Sequence, residues 1–128
     1  MAKSEKGAYM SHVKFEIPAD DLKRASEFYK EVFGWSTMDL PFNYVILDTH
    51  GKPVNPMASS GGISPRNDFV KAPVLIIPVD SIDETAKKIK DAGGETLNDK
   101  QRVGDFGFSM YIKDTEGSIM CLWEEIKK

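Results

Sequence analysis

The chain has few of the residues that several large function classes require. It has one cysteine, Cys121, and two histidines, His12 and His50, in 128 residues. A single cysteine cannot form an internal disulfide and fits a reducing compartment, so a cytoplasmic location is expected. Two histidines leave little room for histidine-based catalysis or for a histidine-rich metal site.

Long apolar runs and an excess of positive charge are also missing. No stretch reaches the roughly 18 to 20 apolar residues of a membrane span, and the first ten residues lack the apolar core of a secretory signal. The net charge of -3 and the pI of about 5.4 provide no basic field for nucleic acid. Residues 1–10 are expected to form a flexible tail, in which Met10 is an alternative start to Met1. Residues 11–128 are expected to form a single domain.

An internal repeat organises the rest of the chain. Residues 17–34, IPADDLKRASEFYKEVFG, align without a gap to residues 77–94, IPVDSIDETAKKIKDAGG, at an offset of 60. A second internal similarity pairs DTHG at 48–51 with DTEG at 114–117, and both are expected to be glycine-containing turns between strands. We therefore expect one domain built by duplication, with module one at 11–64 and module two at 70–125.

Each module is expected to form a strand, a helix and three further strands. Asp20 or Asp21 caps the first helix, and Ser81 with Glu84 forms a capping box for the second. Apolar spacing predicts one buried stripe on each helix, at 22, 25, 28, 29, 32 and 33 and at 82, 85, 86, 89 and 92. The strands are predicted at 11–17, 35–40, 43–48 and 57–63, and at 73–79, 95–100, 106–113 and 118–124.

The first strand, HVKFEI at 12–17, alternates strictly between polar and apolar residues. Alternation of this kind predicts a strand with one buried face and one polar face. Val13, Phe15 and Ile17 are the natural partners for the apolar helix face. The polar face carries His12, Lys14 and Glu16.

The paired βαβββ modules, the segment FYKEVFGW and the segment KDTEGSIMCLWE resemble the vicinal oxygen chelate superfamily. That group includes glyoxalase I, bleomycin-resistance proteins and extradiol dioxygenases, and the resemblance covers about residues 11–125. It implies an α+β fold in which eight strands of a mixed sheet curl into a cup, with the helices outside. The polar face of the first strand would then look into the cup.

Metal-dependent members of this superfamily hold an ion with histidines and glutamates, one from each of four strands. The resemblance places these four positions at Lys14, at Val74, at Cys121 and near Ser59 to Gly62. An ammonium has no lone pair to donate, and no Asp, Glu or His occurs from 51 to 67. We therefore expect neither a metal nor another cofactor.

Lys14 is the most informative residue of the polar face. It is expected to bind an anionic ligand, or to act as a nucleophile or base if it is desolvated; the plainer alternative is an ion pair with Glu16 or contact with solvent. Glu16 is a candidate general base under the same alternative. Cys121 is either a reactive thiol near Lys14 or an inert buried one.

Aromatic side chains near the expected strands would suit a flat organic ligand, although about half of them must belong to the core: Trp35, Tyr44, Phe106, Phe108, Tyr111 and Trp123. The expected ligand contacts are Lys14, Glu16, Tyr44, Val74, Cys121 and Trp123. Of these, only Lys14 and Glu16 are candidates for a catalytic role.

The expected function is binding of a small organic molecule, anionic or carbonyl-bearing, in a metal-free pocket, with no enzymatic activity assigned. Two alternatives stay open. One is a metal-dependent lyase, isomerase or dioxygenase of the glyoxalase type, and the other is a non-catalytic protein that sequesters a drug or metabolite. The resemblance also implies a homodimer, and we expect neither a nucleic acid nor a membrane partner.

Overall fold

The computed structural model describes residues 12–126, apart from the side chain of Met57. The expected tail, residues 1–10, lies outside the described residues. The described chain forms two α-helices and nine β-strands, which confirms the expected α+β class. It divides into two compact units, Lys14–Pro73 and the part that begins at Val74. The bounds of these units differ slightly from those expected for the modules, and from here on module one and module two denote the two units. Neither helix of residues 12–126 is long and apolar enough to cross a membrane.

Module one contains four strands and one helix. They are β1 (Lys14–Ala19), α1 (Leu22–Phe33), β2 (Ser36–Leu40), β3 (Tyr44–Asp48) and β4 (Gly61–Pro65). The strand order is β2-β3-β4-β1, in which β4 pairs antiparallel with β3 and parallel with β1. Parallel pairing brings the loop before β4 to the first residue of β1.

α1 begins at a cap residue that the sequence predicts and ends at a glycine. The Asp21 side chain accepts a hydrogen bond from the backbone N–H of Arg24, which satisfies one donor of the first turn. Gly34 ends the helix with a φ of 74°, a left-handed conformation that glycine adopts without strain.

The core of module one lies between α1 and one face of the sheet. Its buried residues come from the sheet: Ala19, Val45, Leu47 and Ile63. Phe15 and Ile17 of β1 pack against them, as predicted, together with Leu22, Ala25 and Tyr29 of α1.

Part of the predicted helix stripe is wrong. Phe28, Val32 and Phe33 are more than half exposed, because the core contacts of α1 come from its other apolar side chains. Val13 is also exposed and lies before β1 instead of packing under the helix.

Module two repeats the arrangement with one more strand. Its elements are β5 (Val74–Pro78), α2 (Ile82–Asp91), β6 (Glu95–Thr96), β7 (Gln101–Val103), β8 (Gly107–Lys113) and β9 (Ile119–Glu125). The single strand predicted at 95–100 is wrong, since β6 and β7 are separate short strands that both pair with β8. The strand predicted at 57–63 is also displaced, because a 3₁₀ turn occupies Pro56–Ala58 and β4 begins only at Gly61.

The core of module two lies between α2 and its sheet. It contains Ile82, Ala86, Met110, Ile112 and Leu122, all buried. The Ser81 side chain accepts a hydrogen bond from the backbone N–H of Glu84 and begins the helix, as predicted. A hydrogen bond from Lys100 to Asp83 raises the pKa of the lysine above its ordinary value.

The two predicted turns have the same construction. In the first, Asp48 accepts a hydrogen bond from the backbone N–H of His50, and Gly51 has a φ of 75°. In the second, Asp114 accepts from the N–H of Glu116, and Gly117 has a φ of 87°. The duplication seen in the sequence therefore extends to individual hydrogen bonds.

The close approach of β1 and β4 predicts a graded effect of two neighbouring glycine substitutions. A Cβ atom on Gly61 would overlap the backbone carbonyl oxygen of Phe15, whereas one on Gly62 would overlap the ring of Tyr44, which can rotate away. Gly61→Ala should lower the free energy of unfolding by at least about 3 kcal/mol and Gly62→Ala by about 1 kcal/mol. Urea titration followed by circular dichroism measures both. An equal or reversed order would contradict the close β1–β4 contact.

Candidate functional site

The candidate site lies on the face of the module-one sheet that points away from α1. Because Phe15 and Ile17 pack in the α1 core, alternation along β1 directs Lys14 and Glu16 to the opposite face. The two residues are two positions apart, so their Cβ atoms are about 6 to 7 Å apart on that face. The predicted polar face of the first strand is therefore present, while His12 is exposed and lies before β1.

Lys14 contacts the loop that enters β4. Its Nζ donates a hydrogen bond to Ser59 Oγ across 3.2 Å, and both side chains are half-buried. Ser60 lies beside them, where its Oγ accepts from the backbone N–H of Thr49 at 3.0 Å and lies 3.1 Å from Thr49 Oγ1. One ammonium and three hydroxyl groups thus lie around the start of β1, an arrangement rich in donors for an anionic or carbonyl oxygen.

Glu16 lies deeper in the same face. It is only 6% exposed, and the hydroxyl of Ser64, itself 7% exposed, donates a hydrogen bond to Glu16 Oε2. In the β1–β4 register Glu16 lies level with Gly62. Burial of a carboxylate is unfavourable without hydrogen bonds, and the Ser64 hydroxyl provides one.

Tyr44, at the start of β3, lies on the same face of the sheet. Its ring lies over Gly62, which has no side chain to compete for the space. Tyr44 thereby provides an aromatic wall close to Glu16, and it is half-buried.

The structure places the expected contacts of module two on the equivalent face of their own sheet. Met120 and Leu122 pack with the α2 core, so Cys121 and Trp123 point to the other side. Cys121 is 4% exposed, and its thiol donates a weak hydrogen bond to the Leu122 carbonyl at 3.5 Å. The Trp123 ring lies over Gly107, as Tyr44 lies over Gly62 in module one. Val74 is half-buried at the start of β5.

Several other predicted aromatic contacts are core or surface residues. Trp35 stacks on Tyr29 with ring centroids 5.0 Å apart, and Phe108 packs against the α2 core. Phe106 is 48% exposed in the turn before β8. His50 is exposed in its turn, as its position in the sequence suggested.

Three serines of the candidate site were not predicted from the sequence as ligand contacts: Ser59, Ser60 and Ser64. In the sequence, Ser59 and Ser60 were considered only as part of the stretch where one metal ligand is expected and no Asp, Glu or His occurs. Ser64 was not singled out. Alternation places Ser64 on the same face of β4 as Gly62, but only the β1–β4 register brings that face beside Glu16. The parallel register that brings Ser59 to Lys14 spans 45 residues and has no local signal.

The donor set at this face does not fit the metal that the superfamily resemblance implies. Lys14 occupies one expected ligand position, and its ammonium donates to Ser59, which lies in the stretch 59–62 where another is expected. A protonated amine repels a divalent ion and offers it no lone pair. Within residues 12–126, no three His, Cys, Asp or Glu side chains are grouped closely enough to hold a metal ion.

We predict that the protein binds no stoichiometric transition metal, because Lys14, Val74 and Cys121 occupy expected ligand positions. Elemental analysis of protein purified without chelator should give far less than one ion per chain. One zinc, nickel or iron per chain, lost together with an activity, would contradict this expectation.

The Ser64–Glu16 hydrogen bond predicts a stability effect that a surface hydroxyl would not have. Ser64→Ala should lower the free energy of unfolding by about 1 to 3 kcal/mol, because a buried carboxylate loses a donor. Ser59→Ala is the matched control and should cost less than about 1 kcal/mol, since water can replace the hydroxyl at half-buried Lys14. Equal effects in thermal or urea unfolding would show that Glu16 does not depend on Ser64.

Comparisons with known proteins agree on one family. Residues 12–49 match the family model described as bleomycin resistance protein-like N-terminal. A "Glyoxylase-like domain-containing protein" from Didymella fabae is 30% identical over 109 residues, which cover 80% of this chain and 84% of that protein.

Solved structures show the same fold at low sequence identity. Methylmalonyl-CoA epimerase from Mycobacterium tuberculosis is similar with a TM-score of 0.60 at 17% identity, covering 91% of this chain and 87% of that one. A glyoxalase/bleomycin resistance protein/dioxygenase superfamily member from Vibrio splendidus has a TM-score of 0.60 at 11% identity, covering 90% and 98%. Since one fold of this kind supports several chemistries, these likenesses concern the architecture alone.

Proposed function

Because the chain belongs to the glyoxalase and bleomycin-resistance-like group of the vicinal oxygen chelate superfamily, we propose that it binds a small organic molecule without a metal. The observation that carries this proposal is the hydrogen bond from Lys14 Nζ to Ser59 Oγ, at a position where metal-dependent relatives are expected to hold their ion. An ammonium supplies a fixed positive charge to a ligand oxygen without any metal chemistry.

The ligand class follows from the groups on this face. Lys14 and the neighbouring hydroxyl groups favour a carboxylate, a phosphate or a carbonyl oxygen. Tyr44 favours an apolar or aromatic body next to that oxygen. We propose the same anionic or carbonyl-bearing class that the sequence predicts, with Lys14, Glu16 and Tyr44 as the contacts of module one. Val74, Cys121 and Trp123 stay the predicted contacts of module two.

A second candidate function, an isomerase or lyase reaction, is favoured by Glu16. A carboxylate that is 6% exposed and lies two residues from a lysine is suited to proton transfer, with Glu16 as the base and Lys14 as the stabiliser of a developing oxyanion. Any compound that the protein binds should therefore be followed for turnover and for exchange of its carbon-bound protons in deuterated water. Saturable binding without either signal would favour sequestration instead of catalysis.

The proposal also includes the setting in which the protein works. A single buried cysteine fits a cytoplasmic location. The resemblance that identifies the fold also supports a homodimer as the working form.

The central test is the substitution of Lys14 by methionine, which keeps the stem and removes the charge. A thermal-shift screen of small carboxylates, phosphates and 2-oxo acids, with pyruvate and phenylpyruvate among the probes, selects the ligand. Lys14→Met should then weaken its binding by about tenfold to a hundredfold, since a charge-assisted hydrogen bond contributes about 1.5 to 3 kcal/mol.

The matched control is Lys52→Met, an exposed lysine of the same module. It should leave affinity unchanged within about twofold, and both variants should melt close to the wild type, because neither lysine packs in the α1 core. A Lys14→Met protein that binds as tightly as the control would remove Lys14 from the site. If no anionic or carbonyl compound stabilises the wild type, the proposed ligand class is wrong.

A further inference from the structure

The exposed apolar side chains of α1 form a continuous surface, called here the shoulder patch: Phe28, Val32 and Phe33. They are 54%, 56% and 58% exposed. The rings of Phe28 and Phe33 meet edge to face with centroids 6.2 Å apart, so the patch is a packed cluster and not three separate side chains.

The equivalent helix of module two has no such patch. At the offset of 60 that relates the modules, α1 and α2 have the same pattern of buried, half-buried and exposed residues over 23–30 and 83–90. The core contacts of α1 correspond to core residues of α2, for example Leu22 to Ile82 and Tyr29 to Ile89. The three patch positions, by contrast, hold Lys88, Ala92 and Gly93 in module two. Module one therefore carries large apolar side chains at sites where an equivalent helix does without them.

Exposed clusters of large apolar side chains generally mark a surface that another molecule covers. The charges beside the patch indicate which molecule. Arg24 lies one turn before Phe28 on the same side of α1, and Glu31 lies about one turn after it; both are exposed. Along the axis these charges are about 6 Å and 4.5 Å from Phe28.

We propose that the shoulder patch is the contact surface between two copies of this chain, with the two α1 helices packed antiparallel across Phe28. In that arrangement Arg24 of one protomer lies opposite Glu31 of the partner subunit, and the reverse pair forms on the other side of the twofold axis. The two Phe28 rings meet at the centre. A twofold contact needs a self-complementary surface of this kind, whereas a partner of uniform charge would require one sign along the patch.

This inference deepens the homodimer in the proposed function and does not depend on the ligand. The contact is small compared with the roughly 800 Å² per partner of a typical stable interface. We therefore expect weak association, with a dissociation constant in the micromolar range.

The experiment uses the full chain in sedimentation velocity from about 1 to 200 μM at low ionic strength, where exposed charges are screened least. The wild type should change from monomer to dimer over this range. Arg24→Glu places like charges opposite each other in its own dimer, and so does Glu31→Arg. Each variant alone should dissociate about tenfold more readily than the wild type.

A mixture of the two single variants is the decisive sample. A protomer with Glu at both positions opposes one with Arg at both, so both pairs become attractive again and a heterodimer should form with an affinity within about threefold of the wild type. The double variant Arg24→Glu/Glu31→Arg should recover in the same way. Phe28→Ser tests the apolar centre and should abolish the dimer, while circular dichroism and melting temperature confirm folding in every sample.

The results of these measurements distinguish the homodimer itself from the shoulder patch as its contact surface. A wild type that stays monomeric at 200 μM would overturn both the homodimer and the shoulder patch as its surface. A wild-type dimer that resists all of these substitutions would keep the homodimer and overturn the surface. Loss of dimer in both single variants without rescue in their mixture would overturn the antiparallel arrangement.

Discussion

The parallel pairing of β1 with β4 is the constraint on which the candidate site depends. It brings Ser59 to Lys14 across 45 residues and Ser64 to Glu16 across 48 residues. Close approach is possible because Gly61 has no side chain to collide with the Phe15 carbonyl, and Gly62 leaves room for the Tyr44 ring. The same pairing fixes the register of β1, so that its apolar residues face α1 while its charged residues face away.

Much of the architecture could be predicted because its signals are local. Caps, turn glycines and strict alternation act within a few residues, and the predictions for Asp21 and Ser81 are confirmed at the level of single hydrogen bonds. The duplication added a second, independent copy of each signal. The division of one predicted strand into β6 and β7 was missed because it depends on how both pair with β8, a non-local contact.

The site was predictable only in part, for a related reason. Alternation places Lys14 and Glu16 on one face, but it says nothing of the strand beside them. The serines that hold both residues come from a segment whose composition indicates only a glycine-rich linker. For α1, periodicity predicted too many buried residues. Helical spacing cannot distinguish an apolar residue that packs in the core from one at the edge of the helix–sheet contact. Phe28 and Val32 have helical spacing and are nevertheless exposed.

A lysine at the position where the resemblance implies a metal ligand would change the chemistry available to the fold. A divalent ion accepts two ligand oxygens at once and lowers the pKa of bound groups, whereas an ammonium donates up to three hydrogen bonds from a flexible stem. Under the proposed function, discrimination between ligands would then come from the contacts that hold the Lys14 side chain, among them its hydrogen bond to the Ser59 hydroxyl, and from the side chains around it. Glu16 would set a second condition under the proposed function, because a ligand bound at Lys14 would also lie near a buried carboxyl group two residues away. A carbonyl compound with an acidic C–H bond or a hydrogen-bond donor near its anionic group satisfies both conditions. A simple dianion satisfies only the first, so under the proposed function Glu16, more than Lys14, would select among anions.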